Sequence, residues 1–248
     1  MSLSILTALL SISLVTAASD SSDKTEQARE YMSTDYAKAV QLCEEILQED
    51  PENVDATWIK SMAYSNLANT EDDESRQQEY FEKANQLAER AIELDGNNPD
   101  AHYSKAVALG RKAEHAGARE GVGLTREIKE FSDNAIELKE DHAGAWFVRG
   151  MLMYEVANLS RTQRFAANAI FGGLPFDADN DKAIETVGKA VELNPDNIYY
   201  RYQYGRILKE DGRNDKAREI LEPTLDLDPF AQDDEKHLQS VRDLLADL

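Results

Sequence analysis

One cysteine, Cys43, stands among 248 residues, so no disulfide can close within the chain and the fold must be held by its core alone. Basic residues are also scarce. There are 27 Lys and Arg against 48 Asp and Glu, a formal net charge of −21. Such a chain repels phosphate backbones and anionic head groups, which argues against nucleic acid or a membrane surface as partner. It suits a self-repelling soluble surface, a basic partner, or high salt. Catalytic signatures are missing as well. The four histidines, His102, His115, His142 and His237, show no H-E-x-x-H or paired ligand spacing, and there is no nucleophile elbow and no P-loop. The "DADND" run at 177–181 has the alternating acids of a calcium loop. The loop's glycine and bidentate glutamate would fall on Lys182 and Gly188, so it fails as one. The chain reads as neither an enzyme nor a holder of cofactor or metal.

The amino terminus, "MSLSILTALLSISLVTAAS", is apolar from Leu3 to Val15 and ends in small residues. It has the form of a secretory signal over residues 1–18, cleaved after Ala17 or Ala18, and predicts an exported, periplasmic or secreted, protein. Its n-region carries no Lys or Arg. The apolar run is short for a membrane span, so none is expected after cleavage. No cysteine follows it to carry a lipoprotein anchor.

Beyond residue 20 apolar side chains recur at three and four positions, never at two, which predicts helices throughout. Four segments share one grammar: a helix end, a turn, and a new helix opening on small and aromatic residues. Aligned on the turn position, five helix ends fall at Pro51, Gly96, Glu140, Pro195 and Pro229, with spacings of 45, 44, 55 and 34 residues. The last is the length of a tetratricopeptide repeat and the others are that length plus insertions. Ten residues after the first four turns stand Ser61, Ala106, Gly150 and Gly205, small enough for paired helices to approach closely. Twelve before each turn come Ala39, Ala84, Ile128, Ala183 and Ala217, and five before come Ile46, Ala91, Ala135, Ala190 and Thr224. The expected fold is all-α, a tetratricopeptide-type solenoid of helical hairpins over residues 22–248, with an enlarged insertion at 160–179 and a polar-faced C-terminal capping helix near 233–246. One of Ser33, Thr34 and Asp35 should cap the helix ending near Glu49, and Asp181 the helix starting near Lys182.

From about Lys112 onward the chain resembles the regulator of microtubule dynamics family. The resemblance rests on Ile128-Lys129-Glu130, Asp133-Asn134-Ala135-Ile136, and the insertion segment Ile170-Phe171-Gly172-Gly173-Leu174-Pro175. It implies a tetratricopeptide-like architecture and a protein-interaction role. Members best known from animals act inside cells, whereas this chain opens on an export-type segment, so microtubule binding is not carried over.

Seven residues after each turn the side chain is aromatic: Trp58, Tyr103, Phe147 and Tyr202. One helical turn further stand Met62, Val107, Met151 and Arg206. On the concave face of a solenoid, such rows form a groove for a peptide or partner helix, with Trp58, Met62, Tyr103, Phe147, Met151, Tyr202 and Arg206 as partner-binding candidates. The competing reading packs these rows into the core or beneath the insertion. That would make the protein a structural or oligomerising module of an envelope complex with a self-filled groove. These positions carry mostly apolar residues, so a clamp for a terminal carboxylate is not expected. Lys60, Lys105 and Arg149 precede the small residues. They must snorkel or pair with neighbouring carboxylates, since a buried unpaired cation is costly; an acidic-ligand stripe is the less favoured reading.

Overall fold

The computed structural model describes residues 22–115, 118–165 and 178–248, and among these there are helices and no strands. The export-type segment 1–18 and residues 166–177 of the insertion, with Phe171 and Phe176, lie outside them. The helices are α1 (22–34), α2 (Tyr36–Glu49), α3 (Val54–Thr70), α4 (Glu74–Leu94), α5 (Pro99–His115), α6 (Ala118–Leu138), α7 (Ala143–Ala157), α8 (161–165), α9 (Asn180–Leu193), α10 (Ile198–Glu210), α11 (Asn214–Thr224) and α12 (Asp234–Ala246). None of the described helices is long and apolar enough to cross a membrane.

Within the hairpins, α3 packs on α4, α5 on α6, α7 on α9 and α10 on α11. Each hairpin also packs on the next, and α12 closes the stack against α10 and α11. The small residues sit at the hairpin crossings. Ser61 Oγ donates to the Ala84 carbonyl at 2.8 Å. A Cβ on Gly150 would lie 2.6 Å from Val187 Cγ2, and one on Gly205 would lie 2.4 Å from Leu221 Cδ2. The two other recurrent rows, from Ala39 to Ala217 and from Ile46 to Thr224, are buried at every repeat.

The turns carry a second recurrence, beyond the small and aromatic residues. Two residues after the turn position, Asn53, Asn98, His142 and Asn197 each accept from the backbone N–H three residues on, at 2.9 to 3.1 Å. Short polar side chains are favoured there because they satisfy an otherwise orphaned helix donor. Asp35 caps α2 as expected, accepting from Lys38 N at 3.0 Å. Asp181 does not cap α9. Asp179 does, accepting from Lys182 N at 2.8 Å, so the helix begins two residues earlier than expected. Asp181 instead lies in the first turn and pairs with Arg213. Helix α11 ends at Thr224, short of the Leu227 to which its apolar spacing extends. Pro223 lies in its last turn, where a residue without an N–H weakens continuation.

Cys43 is fully buried among Ala28, Ile46, Ile59 and their neighbours. Burial pushes its thiol up to about 12, so both the thiolate and access to it are scarce. In mildly alkaline buffer the native protein is expected to leave a disulfide reagent unconsumed over minutes and to react promptly after guanidinium unfolding. Prompt reaction of the native protein would contradict this packing.

Candidate functional site

The paired cations are the clearest repeat-wide electrostatic feature. Lys60 Nζ lies 3.1 Å from Glu44, Lys105 Nζ 3.4 Å from Glu89, and Arg149 Nε 2.7 Å from Asp133. Each partner lies sixteen residues earlier, on the second helix of the preceding hairpin. Lys105 is only 7% exposed and is completed by Asn85 Oδ1 at 2.9 Å. The row therefore joins successive hairpins, as the ion-paired reading required. In the fourth hairpin the same spacing joins Tyr204 to Gly188, where an added Cβ would lie 2.9 Å from the tyrosine hydroxyl. An aromatic ring over a glycine replaces the ion pair.

The aromatic row is divided by burial. Trp58 is 9% exposed and Phe147 7%, whereas Met62, Tyr103, Met151, Tyr202 and Arg206 are half-buried. Trp58 Nε1 donates to Asp55 Oδ1 at 2.9 Å, and the Arg29 guanidinium lies 4.7 Å from its ring. Tyr103 leans on the next hairpin. Its ring centroid is 4.7 Å from that of His142, and a Cβ on Gly144 would come within 2.6 Å of it. Phe147 does the same one hairpin later, stacking on Tyr200 at 4.2 Å and 13° and tilting against Tyr199 at 5.3 Å. Tyr103 and Tyr200 line one cavity, and burial raises the pKa of both hydroxyls. His237 of α12 extends the chain of rings to Tyr199 at 4.8 Å and Tyr202 at 6.4 Å; burial lowers its pKa. The structure thus links Tyr103, Phe147 and Tyr202 through Tyr199, Tyr200 and His237. Trp58 sits in a separate cluster with Met62.

Toward the other end of the helices the groove is polar. Arg206 donates to Gln203 Oε1 and Glu210 Oε1, both at 2.8 Å, and lies over the Tyr154 ring. Tyr154 donates to the other Glu210 oxygen at 2.7 Å. Burial, then this carboxylate, raises the Tyr154 pKa. Burial also raises that of Glu155. Arg111 of α5 is held by Glu114 at 3.2 Å, and the Asn69 amide oxygen, oriented to pair with it, accepts at 3.0 and 3.1 Å. Its charge acts on Tyr36 of α2, Tyr103 of α5, Tyr199 of α10 and His237 of α12. One guanidinium charge therefore acts on side chains from both ends of the array. A cavity of about 320 Å³ lies at the turn edge between Asp100, Tyr103, His142 and Tyr200. Because His142 Nδ1 accepts from Ala145 N, its proton is on Nε2, which faces Asp100 Oδ1 at 3.2 Å. Burial opposes the Asp100 charge, but this contact holds its carboxyl below the usual carboxylate range. No group of three or more metal-ligating side chains occurs among the described residues.

The two ends of the array touch. The backbone N–H of Gln232 donates to the carbonyl of Ser33, in the last turn of α1, and Tyr36 Oη donates to Asp233 Oδ2 at 3.3 Å. Burial and Asp233 together push the Tyr36 hydroxyl up to about 12. No periodicity foretells this contact, which joins residues 197 positions apart. Tyr199, Tyr200 and His237 are likewise not marked by the repeat spacing. The only local signal is that Tyr200 stands where the other hairpins have Ala56, Ala101 and Ala145.

Stacked helical hairpins with small residues at each crossing, capped turns between them and a closing helix define a tetratricopeptide-type protein. The same fold is found in TTC0263, a thermophilic TPR protein of Thermus thermophilus, with a TM-score of 0.66 at 16% identity, covering 91% of this chain and 99% of that one. The chain belongs to the family described as Regulator of microtubule dynamics protein 1-3, which it matches over residues 22–248. It is 28% identical over 191 residues to Regulator of microtubule dynamics protein 3 of Rattus norvegicus and 29% identical to that of Bos taurus. In both cases the alignment covers 77% of this chain and 40% of the relative. The chain thus spans about two fifths of the length of these relatives.

Proposed function

We propose that this protein is a protein-interaction scaffold that receives a peptide or partner helix on its concave aromatic row. One observation carries the reading: Met62, Tyr103, Met151 and Tyr202 keep part of their surface open along a row built by successive hairpins. Aromatic side chains offer large contact area at small entropic cost, methionines adapt their shape to a partner, and tyrosines are enriched among the residues that carry binding energy. Arg206, held by Gln203 and Glu210, presents a fixed charge beside the row. The relatives' names tie them to microtubule dynamics. A second reading, a structural module whose groove is filled by its own residues, draws on the packing of His237 against Tyr199 and Tyr202.

The test is capture of partners from the native fraction by the full chain and by a Met151→Ala, Tyr202→Ala variant shown by circular dichroism to be folded. Both positions are half-buried, so the variant keeps the buried Phe147 that holds the hairpins together. A protein retained by the parent and reduced at least about tenfold by the variant is the expected result, since hot-spot truncations cost more than 1–2 kcal/mol. Equal retention of every captured protein moves the interaction off this row.

A further inference from the structure

The contact between the ends of the array differs in kind from every other joint in the molecule. Successive hairpins are joined by buried apolar clusters. One cluster unites α7, α9, α10, α11 and α12, another joins α5, α6 and α7, and two more hold α1 to α5 together. No hydrophobic cluster among the described residues spans the seam between the α1–α2 joint and the turn before α12. There the recorded contacts are two polar ones, Gln232 N–H to the Ser33 carbonyl and Tyr36 Oη to Asp233, beside the buried ring of Tyr36, which belongs to none of the clusters. Both lips are nevertheless well formed. Asp234, itself buried, accepts from Phe230 N at 2.9 Å and Ala231 N at 2.7 Å and so fixes the turn in shape. Behind it Val241 of α12 packs into the C-terminal cluster. On the opposite lip Tyr31 and Met32 pack into the N-terminal clusters. Phe230, in the same turn, is 72% exposed.

We propose that this seam is a clasp that gates the concave face: Tyr36 and Ser33 on one lip engage Asp233 and Gln232 on the other, and a partner reaches the aromatic row when they part. In a curved array the meeting of the two ends bridges the open side of the arc, and the Arg111 charge on α5 acts on Tyr36 of one lip and on His237 behind the other. Intramolecular hydrogen bonds contribute little net stability because water replaces them. A joint made of two such bonds opens far more readily than one sealed by apolar surface. Two well-packed bodies meeting at a polar seam can therefore separate without either unfolding. A ligand that binds only the parted form is weakened by the fraction of time the clasp is closed. The clasp deepens the reading of the concave row as a partner surface and rests on it for its purpose. Its opening can be measured without any partner.

The experiment places a reporter thiol at Val107→Cys, on α5 one turn from both Tyr103 and Arg111, with Cys43 left in its buried site. Labelling rates are measured with iodoacetamide and with a large polyethylene glycol maleimide, in three clasp backgrounds. The first is the natural clasp and the second the Tyr36→Phe, Asp233→Ala pair. The third is a Ser33→Cys, Gln232→Cys pair oxidised to a disulfide, since a direct backbone hydrogen bond brings these residues within bridging reach. The large reagent is expected to react roughly tenfold faster in the loosened protein and at least about tenfold slower in the locked one. Iodoacetamide should react at similar rates in all three. Equal rates for the large reagent in the locked and natural proteins would overturn the clasp and leave partner binding on the row untouched. Equal retention of every captured protein by the Met151→Ala, Tyr202→Ala variant would sink the binding reading alone. Circular dichroism on each variant separates loosening from unfolding, and a loosened variant that melts like the parent yet labels no faster also sinks the proposal.

Discussion

Phe147→Ala is expected to lower stability by about 3–5 kcal/mol, the usual cost of removing a buried phenyl ring. Phe147 is almost fully enclosed and stacks on Tyr200 and against Tyr199, so its removal opens a cavity between the α7–α9 and α10–α11 hairpins. In a chain of this size each kcal/mol shifts the thermal midpoint by about 2–4 °C, so a fall of roughly 10 °C or more should be seen by circular dichroism. Because repeats couple mainly to their neighbours, the loss should appear first in the C-terminal half. Tyr202→Ala, at the same place in the next hairpin, removes a half-buried ring whose recorded ring contact is His237 at 6.4 Å. Its cost should be well under half as large. Equal costs would mean that the row is uniform and that its burial is not what distinguishes these residues. The comparison also has a functional consequence. Loss of a partner with Phe147→Ala would report a broken joint, whereas loss with Tyr202→Ala would report a lost contact.

Gly150→Ala should be the most damaging single methyl group that can be added to the chain. The new Cβ would lie 2.6 Å from Val187 Cγ2, 2.8 Å from Val187 N and 3.2 Å from Thr186 C. Two of these are backbone atoms, which cannot turn aside, so α7 and α9 must separate. Overpacking of this kind costs about 1–3 kcal/mol and sometimes more. At Gly205 the obstructing atoms all belong to the Leu221 side chain, which can repack in part, so Gly205→Ala should be milder. A Val187→Ala change added to Gly150→Ala removes the side-chain obstruction but not the backbone one. The expected result is partial recovery of the thermal midpoint. Full recovery would show that the methyl contact alone set the spacing of this hairpin.

Much of this architecture is legible in the residues because it is local and repeated. A small side chain ten positions after each turn, an alanine-rich row on the second helix and an aromatic seven positions after the turn each mark one face of one helix. Helical geometry turns such spacing into contact. The ion-paired row follows from the same logic. A cation at Lys60, Lys105 or Arg149 and a carboxylate sixteen positions earlier meet because every hairpin stacks on its predecessor in the same way. Helix α9 begins at Asn180, ahead of the Lys182 start that Asp181 suggests, because Asp179 accepts from the Lys182 N–H and caps it.

What the residues alone determined was the helical class, the hairpin period, the crossing residues and the acidic, disulfide-free character of the chain. Each of these depends on composition or on spacing within one repeat. Tertiary structure decided which aromatic rings are core and which remain open, since Phe147 and Tyr202 occupy equivalent positions and differ only in what the next element brings against them. It also decided that the ends meet. The cumulative rotation of four stacked hairpins carries Ser33 and Tyr36 to Gln232 and Asp233, and no periodic pattern contains that sum.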